Sequence, residues 1–229
     1  MNDKTKLSVR GYFELIVETA VLVLFVLTFV LQAFQIPTGS MVPKLLIGDF
    51  LLVDKMAYAV PRSGLERTVL PCKPIERKDI VVFRWPGDMK TDFVKRVIGL
   101  PGDKVEIRAR QLFVNDQAVE EPYKIHKTGA AQGEGEGFRY DLAIQDSYGP
   151  VTVPPGSLFV LGDNRDDSAD SRSWGYVPLA NVKGRPWLVY FSYDAEPGAY
   201  LKTGLGDRVQ KLIRAVTKTR WGRFPKIVG

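Results

Sequence analysis

Phe34-Gln35-Ile36-Pro37-Thr38-Gly39-Ser40-Met41 closes a run from Thr19 to Val42 that contains no charged residue. The stretch joins two kinds of sequence without a linker. Upstream it is long and apolar enough to span a membrane. Downstream the Pro-Thr-Gly-Ser order reads as a turn. A serine on that turn sits at the level of the bilayer surface. A hydrolytic site there suits a substrate that is itself in or near the membrane.

The apolar segment Phe13–Phe34 has 22 residues. As a helix it is about 33 Å long, against a hydrocarbon core of about 30 Å. Glu14 and Glu18 are costly at depth, so the span proper begins near Glu18 or Thr19. Lys4, Lys6 and Arg10 precede it against Asp3. The positive-inside rule then leaves the N-terminus in the cytoplasm and the rest of the chain outside. A cleaved signal peptide has a shorter apolar region followed by a small-residue site, and Leu31-Gln32-Ala33-Phe34-Gln35 lacks that pattern. A retained, single-pass anchor is expected.

The chain has 229 residues with one cysteine, Cys72, and one histidine, His126. One cysteine excludes an intrachain disulfide and a cysteine-cluster metal site. One histidine excludes a His-rich zinc site and leaves any Ser-His-Asp triad resting on His126. That residue lies beside the Gly/Glu-rich stretch Gly129–Gly137 and reads as the edge of a solvated loop. The net charge of +6 is concentrated at the end. From Lys202 onward eight basic residues face Asp207 alone. With an anchor at the other end, anionic lipid is a simpler partner for this tail than nucleic acid.

Between anchor and tail the pattern is that of strands. Asp49–Met56, Asp79–Trp85, Phe93–Ile98, Lys104–Ile107, Ser157–Leu161 and Val182–Tyr193 are rich in Val, Ile and Phe and bounded by Gly, Pro and Asp. Gln111–Asn115 and Ala118–Glu120 read as a short hairpin. The expected fold is mostly β: one N-terminal transmembrane helix, an antiparallel catalytic domain, a small inserted subdomain and a C-terminal basic amphipathic helix. The corresponding division is 1–12 cytoplasmic, 13–34 anchor, 35–122 and 157–201 the β domain, 123–156 a polar insert, and 202–229 the tail. In the tail Leu205, Val209, Leu212, Ile213 and Val216 form a helical stripe. Such a helix packs on the β core or lies on lipid, and the excess of Lys and Arg favours lipid.

A serine nucleophile needs a base. With His126 set aside, the search is for a lysine inside an apolar strand, where burial works against its charge. Lys95 in Asp92-Phe93-Val94-Lys95-Arg96-Val97-Ile98-Gly99 fits. Phe93, Lys95 and Val97 share one face, and Val94, Arg96 and Ile98 the other. On periodicity alone it is either a buried base or a solvated edge-strand lysine. The acidic run Gly162–Gly175 invites a Ca²⁺ reading but lacks the glycine and terminal Glu of an EF-hand loop. It reads equally as a rigid loop balanced by Arg165 and Arg172.

Four blocks in order carry a resemblance: Ile36–Pro43, Gly48–Lys55, Lys95–Asp103 and Gly162–Arg172. Together with the anchor they resemble the bacterial type I signal peptidase (leader peptidase) family. The resemblance implies a Ser/Lys-dyad endopeptidase that removes signal peptides after Ala-X-Ala sites. Ser40 matches the nucleophile, Lys95 the general base, and Ser168 the hydroxyl that orients the lysine. Thr38 matches the side chain that joins the Ser40 amide in the oxyanion hole. Asp170 and Arg172 match a supporting ion pair, and Asp163 a loop-stabilising acid. Phe34, Ile36 and Phe93 match the lining of shallow substrate pockets. No cofactor or metal is implied. The implied partners are preproteins and membrane phospholipid, not nucleic acid, with room for a functional association with the export translocon. The implied setting is a monomer in the bacterial cytoplasmic membrane, its catalytic domain on the outer side. The rival classes are another Ser-Lys hydrolase on a related β fold, such as a self-cleaving repressor, and an anchored non-enzymatic β module.

Overall fold

The structure, a computed structural model, describes residues 9–58, 73–126, 146–196, 198, 201 and 204–228. Cys72, the Gly/Glu-rich run and the basic residues Lys4, Lys6 and Lys202 lie outside the described residues. Helix α1 (Val9–Phe25) passes through a π turn (Val26–Val30) and gives way at Leu31 to strand β1 (Leu31–Gln35). The segment Arg10–Val30 is long and apolar enough to cross a membrane. Its side chains find no cover in the fold: Phe13, Ile16, Leu22 and Leu24 are all more than half exposed.

The helix ends four residues short of Phe34, where the apolar run alone placed the end of the span. Two forces act there. Pro37 disfavours a helical conformation at Ile36. Strand β2 (Asp49–Asp54) offers partners for the whole of Leu31–Gln35, from Leu31 opposite Asp54 to Gln35 opposite Phe50. The freed carbonyls at the helix end are also satisfied. Lys55 donates from its amide to Val30 O at 2.9 Å and from Nζ to Thr28 O at 2.5 Å.

The remaining strands are β3 (Ile80–Trp85), β4 (Asp88–Gly99), β5 (Lys104–Arg108), β6 (Gln111–Val114), β7 (Gln117–Ala118), β8 (Tyr148–Thr152), β9 (Ser157–Leu161), β10 (Val177–Pro178), β11 (Val182–Ser192) and β12 (Lys226–Ile227). The larger sheet runs β1-β2-β11-β3-β4-β9-β10, with β12 also on β11. The smaller runs β7-β6-β5-β8. Every pairing among these strands is antiparallel. The expected mostly antiparallel β architecture is thus what forms. Within 123–156, the polar stretch read as an insert, Tyr148–Thr152 is strand β8 on the smaller sheet.

β4 carries the site because both of its faces are covered. Phe93 and Val97 pack with Val81, Phe83, Leu158 and Val160 on one side. Val94 joins a second cluster with Ile36, Met41, Leu45 and Val189. Strand alternation puts Lys95 on the Phe93–Val97 face and Arg96 on the Val94–Ile98 face. Two further α-helices are described, α2 (Ser171–Trp174) and α3 (Leu205–Thr217). On α3 the stripe Leu205, Val209, Leu212, Ile213 and Val216 is more than half exposed throughout.

Candidate active site

β1 ends at Gln35, and the chain must turn to enter β2. Ser40 lies in that connection, fixed by short local bonds. Val42 N–H donates to Gly39 O at 3.1 Å, and Leu45 N–H donates to Met41 O at 2.9 Å. Met41 and Leu45 are buried on either side of this turn, at 1% and 0% exposure, so the turn is a seated part of the core.

Ser40 Oγ accepts a hydrogen bond from Lys95 Nζ at 2.7 Å. The two residues stand 55 positions apart and are both buried, Ser40 at 7% and Lys95 at 2% exposure. The lysine Nζ lies 5.2 Å from the centre of the Phe93 ring. Lys95 is therefore not a solvated edge-strand lysine: it is buried on a strand paired on both sides. A small cleft opens onto the pair. Its lining includes Phe34, Ile36, Thr38, Ser40, Phe93 and Lys95.

The loop from Gly162 to Arg172 supports the Ser40 turn from behind. Asn164 donates its backbone N–H to Ser40 O at 3.0 Å and its side-chain Nδ2 to Gly39 O at 3.1 Å. Gly162 permits the contact. A side chain there would place its Cβ 2.2 Å from Ser168 Oγ and 2.7 Å from Ser40 O. Ser168 is thereby brought beside Ser40, and it is 3% exposed. Its hydroxyl finds no hydrogen-bond partner among the described residues. The bond to Lys95 that the resemblance implies is therefore not formed here.

The acids of this loop are matched by cations. Asp163 accepts from Arg96 Nε at 2.7 Å and Nη2 at 2.6 Å. Asp170 accepts from Arg172 Nε and Nη2, both at 2.8 Å, and from the Gly162 amide at 3.0 Å. Burial works against charge on Asp170. Arg172, the Gly162 amide and Lys95 together outweigh it and hold the carboxyl below the usual carboxylate range. His126 Nδ1 lies 2.9 Å from Asp166 Oδ1, within hydrogen-bond distance. Among the described residues no group of three or more His, Cys, Asp or Glu side chains is arranged to hold a metal ion.

Three contributors escape sequence reading. Asn164 was visible only as part of the acidic run. Glu121, buried and ion-paired to Arg165, comes from the edge of the polar stretch. Tyr123 covers Arg96, whose guanidinium carbon lies 3.9 Å from the ring centre. None of these sits in a local pattern that marks it.

Residues 9–191 match the family model described as signal peptidase, peptidase S26. A signal peptidase I from Pseudomonas aeruginosa is 36% identical over 198 residues, which cover 75% of this chain and 69% of that protein. One from Bacillus caldolyticus is 37% identical over 166 residues, 72% of this chain and 82% of that protein. A crystal structure of a signal peptidase I from Enterococcus faecalis V583 aligns over 49% of this chain and 97% of that one. Its identity is 34% and its TM-score 0.37.

Proposed function

The chain belongs to the peptidase S26 signal peptidase family, and from that premise we propose a membrane-anchored serine endopeptidase in which Ser40 is the nucleophile and Lys95 the general base. It removes N-terminal signal peptides from exported preproteins after Ala-X-Ala sites. The observation that carries the dyad is the buried 2.7 Å bond between Lys95 Nζ and Ser40 Oγ.

A lysine serves as base only when neutral. Burial disfavours the ammonium form, and Asp170, a nearby carboxylate that would oppose this, is already tied to Arg172. Neutral Lys95 takes the Ser40 proton as Oγ attacks the scissile carbonyl. The oxyanion develops against the Ser40 amide and the Thr38 hydroxyl, the second of which lines the same cleft. The partnerless Ser168 hydroxyl receives a bond from Lys95 once the lysine is protonated. Lys95 then gives its proton to the leaving amine, and the Lys95 amine, neutral again, takes a proton from the water that hydrolyses the acyl-enzyme.

Substrate selection follows from the cleft. Phe34, Ile36 and Phe93 line the small cleft beside Ser40, which suits Ala-sized side chains. β1 stands at the end of the larger sheet. It offers an edge on which an extended preprotein segment pairs before reaching Ser40. The enzyme works as a monomer. Helix α1 holds it in the bacterial cytoplasmic membrane with the catalytic domain outside. The exposed stripe of α3, flanked by Arg208, Lys211, Arg214 and Lys218, faces phospholipid. Incubating a purified preprotein bearing an Ala-X-Ala site with the full chain tests this reading. Cleavage at that site by the wild type and none by Ser40→Ala is expected. Equal cleavage by both would remove Ser40 from the mechanism.

A further inference from the structure

The family match stops at residue 191, yet the chain beyond it returns to the nucleophile loop. β12 pairs with β11, Leu188 opposite Ile227 and Val189 opposite Lys226. This brings Arg220, Arg223 and Val228 under residues 44–49. Arg223 donates to Asp49 through Nε at 3.0 Å and Nη2 at 2.5 Å, and through Nη2 to Lys44 O at 3.1 Å. Asp49 is fully buried and also accepts from the Leu46 amide at 2.8 Å and the Ser192 hydroxyl at 2.7 Å. Arg220 donates to Ile47 O at 3.0 Å. Val228, 4% exposed, packs in the same cluster as Ile36, Met41 and Leu45. Those three apolar residues flank Ser40 in sequence and seat its turn.

Charge counting assigns these arginines to lipid. Their surroundings do not, since the Arg223 side chain is only 12% exposed and Arg220 is paired with Asp194. We propose that Arg223, assisted by Arg220 and Val228, is a positioning residue for Ser40: the C-terminal segment clamps residues 44–49 and so holds Ser40 Oγ in line with Lys95. The proposal rests on Ser40 being the nucleophile. Asn164 holds the Ser40 carbonyl from one side, and the clamp holds the other end of the loop. Reaction rate is steep in nucleophile placement, with about 10²-fold lost for a 1 Å error. The clamp therefore acts on turnover rather than on substrate affinity.

The test uses the full chain in detergent and a soluble Ala-X-Ala peptide, well below each variant's melting temperature. Arg223→Gln is expected to lower kcat about tenfold with KM held within about twofold. Arg223→Lys keeps the charge but not the two-bond fork, and is expected to lose less. Asp49→Asn/Arg223→Gln removes the buried charge mismatch, so melting temperature recovers while kcat stays low. Arg77→Gln, which breaks the remote Arg77–Asp103 pair, lowers melting temperature and leaves kcat at the wild-type value. Wild-type kcat in Arg223→Gln, or kcat that returns together with melting temperature in the double variant, overturns the clamp. A wild type whose cleavage does not depend on Ser40 overturns the dyad and the clamp together, so the two failures are distinct.

Discussion

The two faces of β4 treat adjacent cations in opposite ways. Arg96 points into a closed ion pair, with two bonds to Asp163, a third to Lys78 O at 2.7 Å and the Tyr123 ring over its guanidinium. Lys95 points the other way, to a serine hydroxyl and a phenyl ring. Both are nearly inaccessible to water. The difference shows what burial alone does not decide. A buried cation matched to a carboxylate remains a cation and holds structure. A buried amine in contact with a hydroxyl is the arrangement that the proposed mechanism uses as a base.

Breaking the Lys95 side has the largest expected effect. Lys95→Ala should lower preprotein cleavage on the order of 10⁴-fold or more, while the circular dichroism spectrum stays native. Near-normal cleavage would move the base elsewhere. Breaking the Arg96 side should cost stability instead. Arg96→Met strands a buried carboxylate, and about 3–5 kcal/mol is the usual cost. Burial already pushes the Asp163 carboxyl upward against the pull of Arg96. Denaturant titration should show the loss, and removing both charges in Arg96→Met/Asp163→Leu should recover much of it.

Thr38→Val sharpens the Lys95 side further. It deletes one proposed oxyanion donor, so kcat should fall by about 10²-fold with KM little changed. An unaltered kcat would leave the Ser40 amide without this partner. The smallest effect concerns a buried acid of the loop that interacts electrostatically with Lys95. Asp170 is held below its usual range in the folded state. Its contribution is therefore complete above the unfolded value, near pH 4, and is lost as pH falls through the lower folded value. Asp170→Asn should flatten the acid limb of stability below about pH 4. A wild-type slope in that variant would show that other groups carry it.

What the sequence disclosed follows the reach of each physical signal. Alternation in Phe93–Ile98 was enough to put Lys95 and Arg96 on opposite faces. The Asp170–Arg172 pair came from the resemblance, and the structure forms it between residues two positions apart. β1 was hidden because Leu31–Phe34 is apolar, and apolarity alone does not separate the end of a span from a buried strand. β8 was hidden in a polar, glycine-containing stretch that only its pairing with β5 organises. Arg96 and Asp163 are 67 residues apart, Arg223 and Asp49 174. No periodicity links such pairs. The basic tail illustrates the same limit. Counting charge does not show that Arg214, Arg220 and Arg223 are each bonded to an acid of the fold.

In the proposed mechanism the amine of Lys95 takes the proton of Ser40. The rate at which a serine-directed acylating inhibitor modifies Ser40, followed by mass spectrometry across pH, reads that step alone. A rate that rises with pH through one ionisation is expected in the wild type, and a rate that is very low and flat in Lys95→Ala. The same rising profile in both proteins would contradict it.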